Sequence, residues 1–196
     1  MSERVVVATG NAGKVRELWA ALARLELELV TQADLGIDSI AETAPTFVEN
    51  ALGKARHAAC MSGLPAIADD SGLVVNALGG APGIRSARYA GDGATDADNN
   101  VKLLAALEGI EDRAAYFTCS LVYLASADDP APVIATGRWH GLIVDTPRGD
   151  NGFGYDPHFH VPALDCTAAE LPVVDKNRLS HRGQACRQLA TLLSRS

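Results

Sequence analysis

Residues able to do chemistry fall into a few short clusters, beginning with Thr9-Gly10-Asn11-Ala12-Gly13-Lys14. Two glycines, a polar turn residue and a lysine stand there between an apolar run and an amphipathic run. Backbone N–H groups at a helix start favour phosphate, and Lys14 adds a full positive charge. The loop is not a Walker A motif, because the spacing before Gly13-Lys14 is too short and Val15, not Ser or Thr, follows the lysine. An ordinary glycine-rich turn suits the same hexapeptide.

A second cluster, Asp69-Asp70-Ser71-Gly72, follows the apolar run 65–68 and puts adjacent carboxylates at the expected end of a strand, where α/β sites commonly lie. Neighbouring strand residues point to opposite faces, so one carboxylate is expected to face a given cleft. Such a carboxylate can hold Mg²⁺ or orient a water, since magnesium takes one or two carboxylates together with substrate phosphates. An Asx turn into Ser71-Gly72 is the competing reading. On the helical pattern 46–61, Asn50 and Lys54 share one face while Phe47, Ala51 and Ala55 share another that can face the core. Lys54 could then reach a phosphate, or with Arg56 form a solvated face.

Phe153, Gly154, Tyr155 and Asp156 form an aromatic loop whose glycines allow close approach to a ligand and whose exit Pro157 fixes. Phe153 suits stacking on a planar base, with Tyr155 packed beneath; a structural aromatic turn is the alternative. Lys176, His181 and Arg182 lie near Ser180, a candidate N-cap. That cap would set His181 and Arg182 in a first helical turn, where cations oppose the helix dipole unless an anion or a carbonyl oxygen uses them.

The elements that must position these residues read as α/β. Strand character appears at 5–8, 26–30, 65–68, 73–75, 116–124, 133–136 and 139–144. Helical periodicity covers 14–25, 46–61, 96–107 and 180–193, and Thr46 with Glu49 fits a capping box. The strand spacing beyond residue 110 predicts an antiparallel portion and hence a mixed sheet. With 196 residues, 47% of them hydrophobic, the chain is read as a single domain over 1–196.

Composition narrows the partners. A net charge of -7 disfavours a nucleic-acid polymer, while a small anion can still be held by a few focused cations. No apolar stretch reaches membrane-spanning length and no signal-peptide pattern opens the chain, so a cytoplasmic protein without a membrane partner is expected. Its four cysteines have no C-x-x-C spacing, which argues against zinc and against a disulfide framework.

Taken together, the sequence resembles the inosine/xanthosine triphosphate pyrophosphatase family of non-canonical purine nucleotide enzymes. The likeness is carried in order by Thr9-Gly10-Asn11 with Lys14, by Thr46-Phe47, Glu49-Asn50-Ala51 and Lys54-Ala55, and by Ala68-Asp69-Asp70-Ser71-Gly72-Leu73. It continues through Gly79-Gly80-Ala81-Pro82-Gly83-Ile84, Ser86-Ala87-Arg88-Tyr89, Gly152-Phe153-Gly154-Tyr155-Asp156-Pro157 and Ser180-His181-Arg182-Gly183. The resemblance implies an elongated α/β domain with a long mixed sheet flanked by helices, an active site in a cleft between two lobes, a homodimer, and Mg²⁺-dependent hydrolysis of a purine nucleoside triphosphate to monophosphate and pyrophosphate. It further implies that Thr9, Gly10, Asn11, Ala12, Gly13, Lys14, Lys54 and Ser71 hold the triphosphate. Asp70 and Glu42 would bind the metal, with Glu49 a nearby alternative to Glu42, and Asp70, Lys14 and Lys54 would carry catalysis. Phe153 would stack on the base, Gly154, Tyr155 and Asp156 would complete that wall, and Lys176, His181 and Arg182 would contact the six-position oxygen and its surroundings.

Overall fold

Among the described residues the strands form one mixed sheet of seven in the order β2-β1-β3-β4-β5-β6-β7. A computed structural model describes residues 3–23 and 27–194, with only the backbone of Ala12. In chain order the elements are β1 (Glu3–Val7), α1 (Ala12–Leu22), β2 (Leu27–Thr31), α2 (Phe47–Ser62), β3 (Ala66–Val75), α3 (Asp96–Ala106), β4 (Ala114–Leu124), β5 (Val133–Ile143), β6 (Phe159–Val161), β7 (Cys166–Thr167), α4 (Val173–Leu179) and α5 (His181–Leu193). β1 pairs in parallel with β2 and β3, whereas β6 pairs antiparallel with β5 and β7, which makes the sheet mixed as its spacing predicts. The expected helix end at Leu25 and strand start at Glu26 lie outside the described residues.

The chain divides into two compact units. The first comprises Met1–Asp70, Cys119–Gly137 and His181–Ser196, and the second Ser71–Thr118 and Arg138–Ser180. In the first unit the period-two alternation of the strands sorts side chains onto two faces. Val5, Val7 and Ile67 join Leu18 and Leu22 of α1 and Ala185, Cys186 and Leu189 of α5 in one core. Val6, Ala8, Ala66 and Ala68 join Ala51, Ala55, Ala58 and Ala59 of α2 in another. The short alanine side chains bring α2 close to the strands. In the second unit Leu73, Val75, Leu103, Leu107, Phe117, Trp139 and Phe159 make a separate core, with the Phe117 and Phe159 ring centroids 4.5 Å apart.

Local chemistry sets the ends of α2. Thr46 Oγ1 accepts the Glu49 N–H at 3.3 Å and donates to the Glu49 carboxylate at 2.5 Å. Gly63, with φ 68°, closes the helix in the left-handed conformation that glycine adopts without a Cβ penalty.

The structure departs from the sequence reading in several places. Asp69-Asp70-Ser71-Gly72 is neither a strand end nor a turn but the middle of the ten-residue β3. The carboxylates tolerate this position because both faces of the strand supply cations, as described below. Residues 133–143 form one strand through Gly137-Arg138 instead of two. A Cβ on Gly137 would lie 2.0 Å from the His181 carbonyl oxygen, so the absent side chain is what lets β5 run directly against the start of α5. α4, β6 and β7 are additional elements, and Ser180 is the extended residue closing α4 before His181 opens α5.

Candidate active site

In the first unit the phosphate-type loop ends β1 and opens α1. Asn11 is the N-cap, its Oδ1 accepting the Lys14 N–H at 3.0 Å, and the Asn11 N–H donates to Thr9 Oγ1 at 3.3 Å. Gly10 and Asn11 are exposed while Thr9 is buried. Ala12 and Gly13 form the first turn of α1, whose early N–H groups have no intrahelical acceptor and point toward any anion beyond the helix start.

Alternation along β3 sends its two carboxylates to opposite faces. On the side of α1 and α5, Asp69 Oδ2 lies 3.3 Å from Lys14 Nζ and 3.5 Å from Arg182 Nη2. Arg182 is itself buried and also pairs with Glu17 of α1. Burial alone would raise the Asp69 pKa, but Lys14, Arg182 and Lys54 outweigh it and hold the carboxyl well below the usual carboxylate range. The Arg182 guanidinium, despite its own burial, is held charged by Asp69 and Glu17.

On the side of α2, Asp70 Oδ2 accepts from Asn50 Nδ2 at 3.1 Å, and Oδ1 lies 3.9 Å from Lys54 Nζ. Asn50 Oδ1 accepts the Ala44 N–H at 3.0 Å, tying the loop that carries Glu42 to the same helix. Glu42 Oε1 lies 2.5 Å from Lys54 Nζ. Burial, with Glu42 adding to it, pushes the Asp70 carboxyl up to about 6 against the pull of Lys54 and Lys14. Burial works against the Lys54 charge, but Asp69, Asp70 and Glu42 together hold its pKa above the ordinary lysine value. Lys54 is thus a permanent cation, and Asp70 is a carboxyl whose ionised form burial and Glu42 disfavour.

Glu42 and Asp70 offer carboxylate oxygens of the kind hard divalent cations take. Among the described residues no three His, Cys, Asp or Glu side chains gather for an ion. Glu42 and Asp70 share Lys54 as a neighbour, and oxygen donors of that number match magnesium completed by phosphate and water. Glu49 is engaged with Thr46 at the helix start.

The second unit holds the aromatic loop. Phe153 N–H donates to Asp156 Oδ2 at 2.8 Å, and Lys176 Nζ reaches the same oxygen at 2.6 Å. Lys176 Nζ also sits 4.9 Å from the centroid of the half-buried Phe153 ring. Tyr155 is buried and its hydroxyl donates to the Ser86 carbonyl at 2.8 Å. Ser71 belongs to this unit, half-buried in β3. His181 is buried in the first turn of α5, in the first unit.

Residues 5–192 match the Ham1 family. The chain belongs to that family. It is 56% identical over 193 residues to a protein of Photorhabdus laumondii named dITP/XTP pyrophosphatase, covering 97% of this chain and 98% of that protein. A protein of the same name from Shigella flexneri is 57% identical with the same coverage. Among solved structures, a HAM1 protein from Coxiella burnetii superposes with a TM-score of 0.93 at 49% identity, covering 99% of this chain and 100% of that one. The Ham1 protein of Staphylococcus aureus gives a TM-score of 0.87 at 37% identity over 99% of this chain and 100% of its own.

Within this Ham1 chain, sequence reasoning missed two partners. Glu17 stands one helical turn beyond Lys14, a spacing that places both on one face of α1. The Asn50 contact to Asp70 spans distant sequence and left no local signal.

Proposed function

We propose that this Ham1-family chain hydrolyses non-canonical purine nucleoside triphosphates, namely ITP, dITP and XTP, to the monophosphate and pyrophosphate. Such an activity cleanses the nucleotide pool before these bases enter DNA or RNA. One observation carries the proposal: Lys14 and Lys54, on separate helices, approach adjacent carboxylates from the two faces of β3, in a chain whose relatives at over half identity are named dITP/XTP pyrophosphatase.

The residues divide the work. Thr9, Gly10, Asn11, Ala12, Gly13 and Lys14 hold the triphosphate with Lys54 and Ser71, and the raised pKa of Lys54 keeps its charge available for the leaving pyrophosphate. Glu42 and Asp70 hold Mg²⁺, which when bound neutralises charge on the reacting phosphates. Asp70 orients the attacking water and takes its proton as the oxygen bonds to the α-phosphorus and the bond to the pyrophosphate oxygen breaks. No covalent enzyme intermediate is required.

Phe153 stacks on the base, and Gly154, Tyr155 and Asp156 complete its wall. Lys176, His181 and Arg182 meet the six-position oxygen and neighbouring groups; for Arg182, engaged with Glu17 and Asp69, that role demands exchange of a carboxylate for the base. Donors set for a carbonyl oxygen are left unpaired by adenine, a mismatch that can cost a factor of about 10⁴. We further infer a cytoplasmic homodimer acting on small nucleotides. The net charge of -7 opposes a nucleic-acid polymer, and among the described residues no helix is long and apolar enough to cross a membrane.

The test is incubation of purified protein and Mg²⁺ with ITP, XTP, ATP and GTP, followed by chromatography and a pyrophosphate assay. Monophosphate plus pyrophosphate from ITP and XTP, with little from ATP or GTP, is the expected outcome. Release of single phosphate, or no turnover, overturns the assignment.

A further inference from the structure

The peptide group on each side of Gly154 is held from α3. Gly154 N–H donates to Asp96 Oδ2 at 2.7 Å, and Asn100 Nδ2 donates to the Gly154 carbonyl at 2.9 Å. Asp96 and Asn100 are four residues apart and share one face of the helix. The neighbouring Asn99 fastens another segment, accepting the Ala90 N–H at 2.8 Å and donating to the Ala87 carbonyl at 3.3 Å. Tyr155 ties the aromatic loop to that same segment through the Ser86 carbonyl.

We propose that Asp96 and Asn100 are positioning residues that fix the Phe153 ring for base stacking. The inference rests on Phe153 being the base platform and adds residues that do not touch the nucleotide. Gly154 has φ 64°, so the loop reverses there with no side chain to wedge it in place. Its N–H and carbonyl are therefore the handles by which α3 can set the plane of the preceding residue. Phe153 is gripped on its other side through its own N–H by Asp156, which Lys176 holds in turn. The ring thus sits between two anchors, one from α4 and one from α3.

Asn100 shows that the α3 anchor is not a by-product of packing. Its Oδ1 is buried without a hydrogen-bond partner, a condition that costs stability. A buried apolar side chain would avoid that cost but would leave the Gly154 carbonyl unheld. Asp96 is exposed, so its carboxylate reaches Gly154 from the surface and contributes little to the core.

The experiment measures Asp96→Ala, Asn100→Ala and their double variant, with Asp96→Asn as the conservative replacement whose amide oxygen can still accept from Gly154. Calorimetry gives the dissociation constants of inosine monophosphate and of inorganic pyrophosphate, and steady-state kinetics give KM and kcat for ITP. Each alanine variant is expected to raise the monophosphate constant and the KM about 3- to 10-fold, the loss of one neutral to charge-assisted hydrogen bond. kcat should stay within about twofold, because an unreacting part of the substrate is affected. Pyrophosphate binding should be unchanged and Asp96→Asn close to wild type. Unchanged monophosphate binding in the double variant overturns the proposal, as does an equal weakening toward pyrophosphate, which would report general damage. A wild type that binds the monophosphate but does not hydrolyse ITP overturns the proposed reaction while the positioning role stands on the binding data. A wild type that binds no monophosphate overturns both.

Discussion

Asp69 and Asp70 are adjacent in sequence and opposite in electrostatic fate. Asp69 meets Lys14 and Arg182 and stays ionised in full burial, whereas Asp70 has Lys54 at 3.9 Å and the carboxylate of Glu42 nearby. Because the folded value for Asp70, about 6, exceeds the model-peptide value of 3.8, the native state binds a proton in that interval that the unfolded chain does not. Its contribution to stability is therefore best below about pH 4 and declines as pH rises through 6, a difference of up to about 3 kcal/mol. Asp70→Asn should abolish turnover and, without divalent ion, resist urea better than wild type at pH 8, with the gap closing toward pH 4.5. Added Mg²⁺ should stabilise the wild type and not the variant. Equal stability at both pH values would show that Asp70 bears no buried-charge cost, and retained turnover would remove it from catalysis. The opposite facing of the pair was legible from the period of a strand. The unequal charge environments were not, because Lys14, Lys54 and Arg182 come from three helices far apart in sequence.

Elements with a long, regular period were readable, and short ones were not. α2, α3 and α5 fall within a residue or so of their expected starts, as 3.6-residue spacing allows over eleven or more residues. β6 and β7, of three and two residues, are too brief to show a period, and α4 of seven barely completes two turns. The aspartates in β3 and the glycine in β5 read as breaks because local propensity disfavours both in strands, and tertiary partners reverse that preference. Gly137 supplies the clearest case. Its missing side chain accommodates the His181 carbonyl and the Ala185 N–H, at 2.0 and 2.8 Å from where a Cβ would stand. Gly137→Ala should destabilise the protein by about 1–3 kcal/mol in urea titration, the usual cost of overpacking, and should lower turnover through displacement of the α5 start. A stability within error of wild type would mean that α5 yields without resistance.

At the scale of the whole chain, the cysteines give a test of the fold that needs no substrate. Cys119 and Cys186 are buried, Cys60 is exposed and Cys166 lies between, all as free thiols. Burial pushes Cys186 up to about 12 and Cys119 in the same direction, while Cys166 is raised by partial burial and by Glu170. A thiol reagent at pH 8 should label Cys60 first, Cys166 more slowly, and Cys119 and Cys186 only after unfolding, as read by peptide mass spectrometry. Rapid labelling of Cys119 in native protein would contradict its place in the core. The absence of metal-type cysteine spacing was available from the cysteine positions, and the α/β class from the mixture of strand and helical patterns along the chain. The partition of β3 has a different kind of consequence, one for how such a gene can drift. With Asp69 bound to the α1 and α5 side and Asp70 to the α2 side, inserting or deleting one residue in β3 ahead of the pair would exchange their faces and strand both sets of cations. Point substitutions there can be graded in effect, but a change of length is all-or-none. The reading frame of the strand, counted in residues, is thus as much a determinant of the chemistry as the identity of the acids it carries.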